Sequence, residues 1–134
     1  MILENSPIKE KSEERLLSTL FNPKSTAIVG ASRTPGKFGY NIVKNLITLG
    51  YKGKIFPVNP KAEEILGLRC YPSIKSIPSS VEVVIMAVPS PLVPEAMSDC
   101  LNKGVVAVVI ISSGFDDAGE WGRPLQKKVL EIAR

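Results

Sequence analysis

The sequence predicts an α/β domain: a doubly wound parallel sheet with helices on both faces. Three observations carry that expectation. Four short apolar runs rich in β-branched residues recur along the chain, amphipathic segments separate them, and a glycine-rich turn, "GASRTPGKFG" at 30–39, closes the first run. Strand and helix alternating at this rhythm imply βαβ units with right-handed crossovers, the arrangement called Rossmann-like.

The elements follow in order. Residues 1–11 are polar and are expected to fray. "SEERLLSTLF" opens with Ser12 at a capping position and sets Leu16, Leu17 and Leu20 on one side, which predicts a short helix from Ser12 that ends before Pro23. Residues 1–20 are thus a polar segment and a helix, and 21–134 are one domain. "STAIVG" predicts a strand buried on both faces. "FGYNIVKNLITL" is an amphipathic helix, with Gly50 placed as its C-terminal cap. "GKIFPVNP" is a second strand stopped by Pro60, and "AEEILGLRCYPSIKSIPSSV" is an irregular connector in place of a simple helix. "EVVIMAVP" and "GVVAVVIISSG" are two further strands of the buried type. Between them "PLVPEAMSDCLNKG" is a helix with Pro early and Gly at its end, and a last helix starts at Arg123 or Pro124.

Composition narrows the function. A chain of 134 residues with 44% hydrophobic and 22% charged residues can bury a core. The net charge of +4 is scattered rather than massed, and aromatic residues make up 6%, which argues against a nucleic-acid surface. The longest apolar run, Val105 to Ile111, is far short of the roughly 20 residues a membrane span needs. The N-terminal stretch lacks the apolar core of a signal peptide, so the cytoplasm is the expected location. Cys70 and Cys100 are expected to be buried thiols. With no histidine, the chain offers no imidazole base, nucleophile or metal ligand, and no metal site is expected.

In an open parallel sheet, ligands bind beyond the carboxyl ends of the strands, so four turns must be read together. In the first, Gly30 permits a sharp exit from the strand, with Ala31 following. Thr34-Pro35-Gly36-Lys37 has Pro and Gly where a type II turn needs them, and Gly39 permits close helix approach. Backbone N–H groups at the helix start, the hydroxyls of Ser32 and Thr34, and the charges of Arg33 and Lys37 suit an anion, although tight-turn residues with solvated basic neighbours would look the same. A nicotinamide or flavin site shows Gly-x-Gly-x-x-Gly and, about 20 residues on, an acid. Here Ser32 replaces the middle glycine and the second strand ends Val58-Asn59-Pro60-Lys61, with a lysine that suits a ribose phosphate. The candidates are NADP or coenzyme A. After the third strand, Val88, Pro89, Ser90 and Pro91 form a stiff exit, equally a wall for a flat ligand or a plain turn. After the fourth, Ile111, Ser112, Ser113 and Gly114 offer small polar groups that would either face a ligand arm or cap the next segment. Asp116, Asp117 and Glu120 are better placed as helix caps than as paired acids.

Taken in order, "LFNPKSTAIVGAS…PGKFG…N", "GKIFPVNPK", "LGLRCYPSI", "VEVVIMAVPS" and "VVIISSGF…GE" resemble the N-terminal CoA-binding domain of the NDP-forming acyl-CoA synthetases. The similarity, from about Leu20 to Arg134, is nearest to the ADP-forming acetate-CoA ligase α subunit and more distant from the succinyl-CoA synthetase α subunit. It implies a module that docks coenzyme A for acid-thiol ligation driven by a nucleoside triphosphate, with the phosphohistidine and the nucleotide-grasp (ATP-grasp) part in other domains or subunits. By the same resemblance, Ser32 to Pro35 with Gly30 and Gly36 would hold the CoA phosphates and Lys61 would meet the phosphoadenosine. Val88, Pro89 and Ser90 would flank adenine or pantetheine, and Ile111, Ser112 and Ser113 would line the arm to the thiol. Succinyl-CoA relatives carry Thr-Glu at Ser112-Ser113. The final pattern "KKVLEIAR" ends without a cap or closing strand, so the segment is expected to belong to a longer ligase and not to be catalytic by itself. A stand-alone regulatory CoA or nucleotide sensor is the alternative. An NADP oxidoreductase domain would need a catalytic acid, base or thiol that the sequence does not point to.

Overall fold

The computed structural model of the chain describes residues 7–112, 119–120 and 122–133, with backbone only for 7–12. Among these, four strands make one parallel sheet: β1 (Ser25–Val29), β2 (Lys54–Val58), β5 (Val83–Met86) and β6 (Ala107–Ile110), in the order β2-β1-β5-β6. A small antiparallel hairpin, β3 (Glu64–Ile65) with β4 (Leu68–Arg69), accompanies them. The helices are α1 (Pro7–Phe21), α2 (Phe38–Thr48), α3 (Val93–Lys103) and α4 (Arg123–Ala133). The expected α/β fold is the one observed.

β1 is buried along its whole length because it lies inside the sheet, paired with β2 on one side and β5 on the other. Its alternating side chains serve two cores. Ala27 and Val29 join Val84 and Met86 against Val93, Met97 and Cys100 of α3 and Val129 of α4. Ile28 points to the other face, where Val43 of α2 packs with Ala62, Ile65 and Cys70. Leaving β1 the chain goes first to β2 and then returns across β1 to β5, so the strand order reverses between β1 and β5. That reversal opens a crevice at the carboxyl edge.

Both crossover helices stop where glycine was expected to stop them. After α2, Tyr51 N–H donates to Leu46 O and Gly50 N–H to Ile47 O, with Gly50 at φ +79°, which is the paired bonding of a Schellman cap. After α3, Val105 and Gly104 repeat it, with Gly104 at φ +80°.

Several boundaries differ from expectation. α1 starts at Pro7 rather than Ser12, because proline fits the first helical turn, where its missing N–H has no partner to lose. Leu16 and Leu17 are exposed. Strand β6 is shorter than the apolar run that contains it. Val108 and Ile110 pack on the α3–α4 core, but Val106, Val109 and Ile111 remain more than a third exposed, so among the described residues the second face of this strand, where Leu20 and Phe21 lie near Val109, is only partly covered. The connector is also more ordered than its composition suggests. Leu66 at φ +51° and Gly67 at φ +81° form a two-residue hairpin turn, and Tyr71 then pairs in parallel with Val58. Pro57 sits within β2, but its carbonyl faces outward to accept Tyr71 N–H at 2.9 Å. Its nitrogen therefore faces the same outer side, and no bond to β1 is lost. Among the described residues, no helix is long and apolar enough to cross a membrane.

Candidate functional site

The crevice is built from the exits of β1, β2 and β5. Gly30 leaves β1 at φ +89°, and a Cβ there would stand 2.5 Å from the Ala87 carbonyl oxygen. Glycine is thus required both by conformation and by the closeness of the neighbouring strand. The next turn is held locally: Thr34 N–H donates to Ser32 Oγ at 3.0 Å, and Lys37 N–H donates to Thr34 O at 3.3 Å across Pro35 and Gly36. Gly36 has φ +90°, as the third position of a type II turn demands. α2 then begins with no side-chain cap and no acid in its first turn, so its electropositive end is not neutralised locally. Gly39 is buried beneath this turn against the Gly30 carbonyl.

Asn59 ties the β2 exit to the β1 exit. Its Nδ2 donates to Ala31 O at 2.8 Å, its Oδ1 accepts Lys61 N–H at 2.8 Å, and its own N–H donates to Tyr71 O at 2.9 Å. On the other side, Ala87 N–H donates to Val29 O at 2.8 Å, and the Ser112 hydroxyl donates to the Val88 carbonyl. Cys70 lies just behind Asn59, and burial pushes its thiol up, against the lowering effect of backbone hydrogen bonds to Asn59 and Tyr71 and the charge of Arg33.

Two cavities open at this edge. The larger, about 470 Å³, is lined by Val29 to Ser32, by Val58, Asn59 and Pro60, by Pro72, Ser73 and Ile74, by Val88, and by Leu92, Glu95, Ala96 and Asp99 of the α3 side. The smaller, about 260 Å³, is lined by Phe38, Ala87, Val88, Pro89, Ile111 and Ser112. Of the residues singled out in the sequence, Gly30, Ala31, Ser32, Asn59 and Val88 therefore meet at the larger cavity. Val88, Pro89, Ile111 and Ser112 meet at the smaller. Arg33, Thr34, Pro35, Gly36 and Lys37 form an exposed turn beside them, and Lys61 is exposed past the β2 exit. Ser90 starts a 3-10 turn, Ser90–Leu92, leading into α3. Ser113, Gly114, Asp116 and Asp117 lie outside the described residues.

Sequence reasoning missed Phe38, the Pro72–Ile74 wall and the α3 wall. One signal was present for the last: Leu92, Glu95, Ala96 and Asp99 recur at helical spacing and so share a face.

A family model described as a CoA binding domain matches residues 24–134. The chain belongs to the CoA-binding domain family. Both cavities lie within the matched residues, and α1 precedes them. The chain is 55% identical over 118 residues to an ADP-forming acetate–CoA ligase II of Archaeoglobus fulgidus, covering 88% of this chain and 18% of that protein. It is 48% identical over 122 residues to the α subunit of an ADP-forming acetate–CoA ligase I of Pyrococcus furiosus, covering 88% and 26%. Among solved structures, the apo form of the dinucleotide-forming acetyl-coenzyme A synthetase 1 of Ca. Korarchaeum cryptofilum superposes with a TM-score of 0.83 at 42% identity, over 87% of this chain and 25% of that one. The CoA-binding domain thus spans about a fifth to a quarter of these relatives.

Proposed function

We propose that this chain docks coenzyme A for an ADP-forming acid–CoA ligase of the acetate–CoA ligase type. The observation that carries the reading is the switch-point crevice. An apolar cavity opens there beside a turn whose backbone, by its glycines, admits a close anion and whose Arg33 and Lys37 are exposed. CoA has matching parts: a flat base, a pyrophosphate and a long arm of aliphatic links joined by two amides. The family match and the ligase names of the relatives support the same choice.

In this reading Gly30 to Lys37 with Gly39 hold the phosphates, and Lys61 meets the phosphate on the ribose. Val88, Pro89 and Ser90 flank the ligand at the β5 exit, while Ile111, Ser112 and Ser113 guide the arm toward its thiol. Asn59 acts by holding the two exits in register. Other domains or subunits, including an ATP-grasp part and a phosphohistidine, supply the reaction itself in the cytoplasm, and this segment supplies binding and orientation. Calorimetric titration of the chain with CoA, NADP and ADP in turn is the test. CoA is expected to bind most tightly, and a preference for NADP would overturn the assignment.

A further inference from the structure

The larger cavity has two chemically unlike ends. At the β1 end it adjoins the basic turn that carries Arg33 and Lys37. At the α3 end its lining includes two carboxylates, Glu95 and Asp99, one helical turn apart, while Ile74, Val88 and Ala96 contribute apolar wall. Phosphate groups are repelled from the second end and drawn to the first. The α3 end must then take the uncharged part of a ligand, and carboxylates favour a part that donates hydrogen bonds.

Asp99 is the better placed of the two acids. Its side chain is 21% exposed, and its Oδ1 lies 3.2 Å from Nζ of the more exposed Lys75. The ion pair occupies only part of the carboxylate's accepting capacity, since a carboxylate offers about four lone-pair sites. Glu95 is exposed, at the outer rim.

Building on the CoA reading, we infer that Asp99 is a specificity-determining residue, accepting a hydrogen bond from the exocyclic amine of the ligand's adenine. The base enters the cavity toward α3, and the phosphates lie over the Gly30–Lys37 turn. A 6-oxo purine would present a carbonyl oxygen to the carboxylate at that position, its nearest N–H lying instead on ring N1.

The test is calorimetric titration of this chain and of Asp99→Asn with CoA and with its hypoxanthine analogue, in which the 6-amino group is replaced by oxygen. Circular dichroism would check that the variant is folded; the lost ion pair joins a half-buried carboxylate to an exposed lysine. The native chain is expected to bind CoA at least about tenfold more tightly than the analogue, the range of a charge-assisted hydrogen bond. Asp99→Asn is expected to erase or reverse that preference, because an amide can donate to the 6-oxo oxygen. Equal affinities in the native chain, or an unchanged preference in Asp99→Asn, would overturn the inference while leaving the CoA reading intact. Absence of CoA binding to the native chain would overturn both.

Discussion

A Cβ on Gly39 would stand 1.9 Å from the carbonyl oxygen of Gly30. The first turn of α2 therefore rests directly on the backbone that leaves β1, and the two glycines form one contact. The obstructing atoms are main-chain atoms of a buried strand exit, so no flexible side chain can swing away to make room.

Gly39→Ala is accordingly expected to destabilise the fold by about 1–3 kcal/mol, the usual cost of overpacking. Denaturant unfolding measures it. A change of less than about 0.5 kcal/mol, the range of an ordinary surface substitution, would show that α2 can lift off the turn freely.

Gly36 presents the opposite case: no atom lies within 4 Å of a Cβ built there, yet its φ is +90°. Gly36→Val should strain the turn by at least about 1–2 kcal/mol without disturbing any core contact. The domain should stay folded, with its CoA affinity lost. An unchanged affinity in titration would show that this turn does not hold the phosphates.

CoA should bind more tightly than 3′-dephospho-CoA, and Lys61→Ala should remove much of the difference. A charge-assisted hydrogen bond contributes roughly 1.5–3 kcal/mol, which corresponds to tenfold or more in affinity. If the native chain binds the two ligands equally, Lys61 has no part in recognising the ribose phosphate.

Cys100 lies in the α3 core, where burial, and to a lesser degree the charge of Asp99, push its thiol from 9.0 up to about 12. The folded state then holds the thiol proton more firmly than the unfolded state does. This contribution to stability is fully present below the ordinary thiol range and is lost as pH rises toward 12. Unfolding midpoints should therefore fall across that alkaline window, and Cys100→Ser, whose hydroxyl does not titrate there, should flatten the fall. An identical slope in the variant would show that other groups set it. Iodoacetamide at pH 8 should leave Cys100 unmodified until the chain is unfolded.

The parallel sheet and the presence of all four helices were legible in the sequence for local reasons. Ala27 to Val29 and Val83 to Met86 are apolar without interruption, as strands covered on both faces must be. Gly50 and Gly104 end their helices by the one backbone conformation other residues avoid. The hairpin was not legible, because Leu66 takes a positive φ that Asn or Gly usually supplies. Nor was the start of α1, where Ser12 imitates a cap inside a helix that Pro7 opens. The cavity was half legible: its β1, β2 and β5 exits follow from topology, but Ser73 and Asp99 reach it through packing between segments distant in the chain.

The amide of Asn59 has its donor and its acceptor engaged on two different loops, through Ala31 and Lys61. The ordering of both exits is therefore settled when the chain folds and not when a ligand arrives. A loop ordered in advance lowers the entropy cost of association, so affinity at this edge is set partly by a side chain that bonds the two loops to each other. Selection for tighter or weaker binding could therefore act through the bonds by which Asn59 joins the two loops, as well as through its place in the cavity wall.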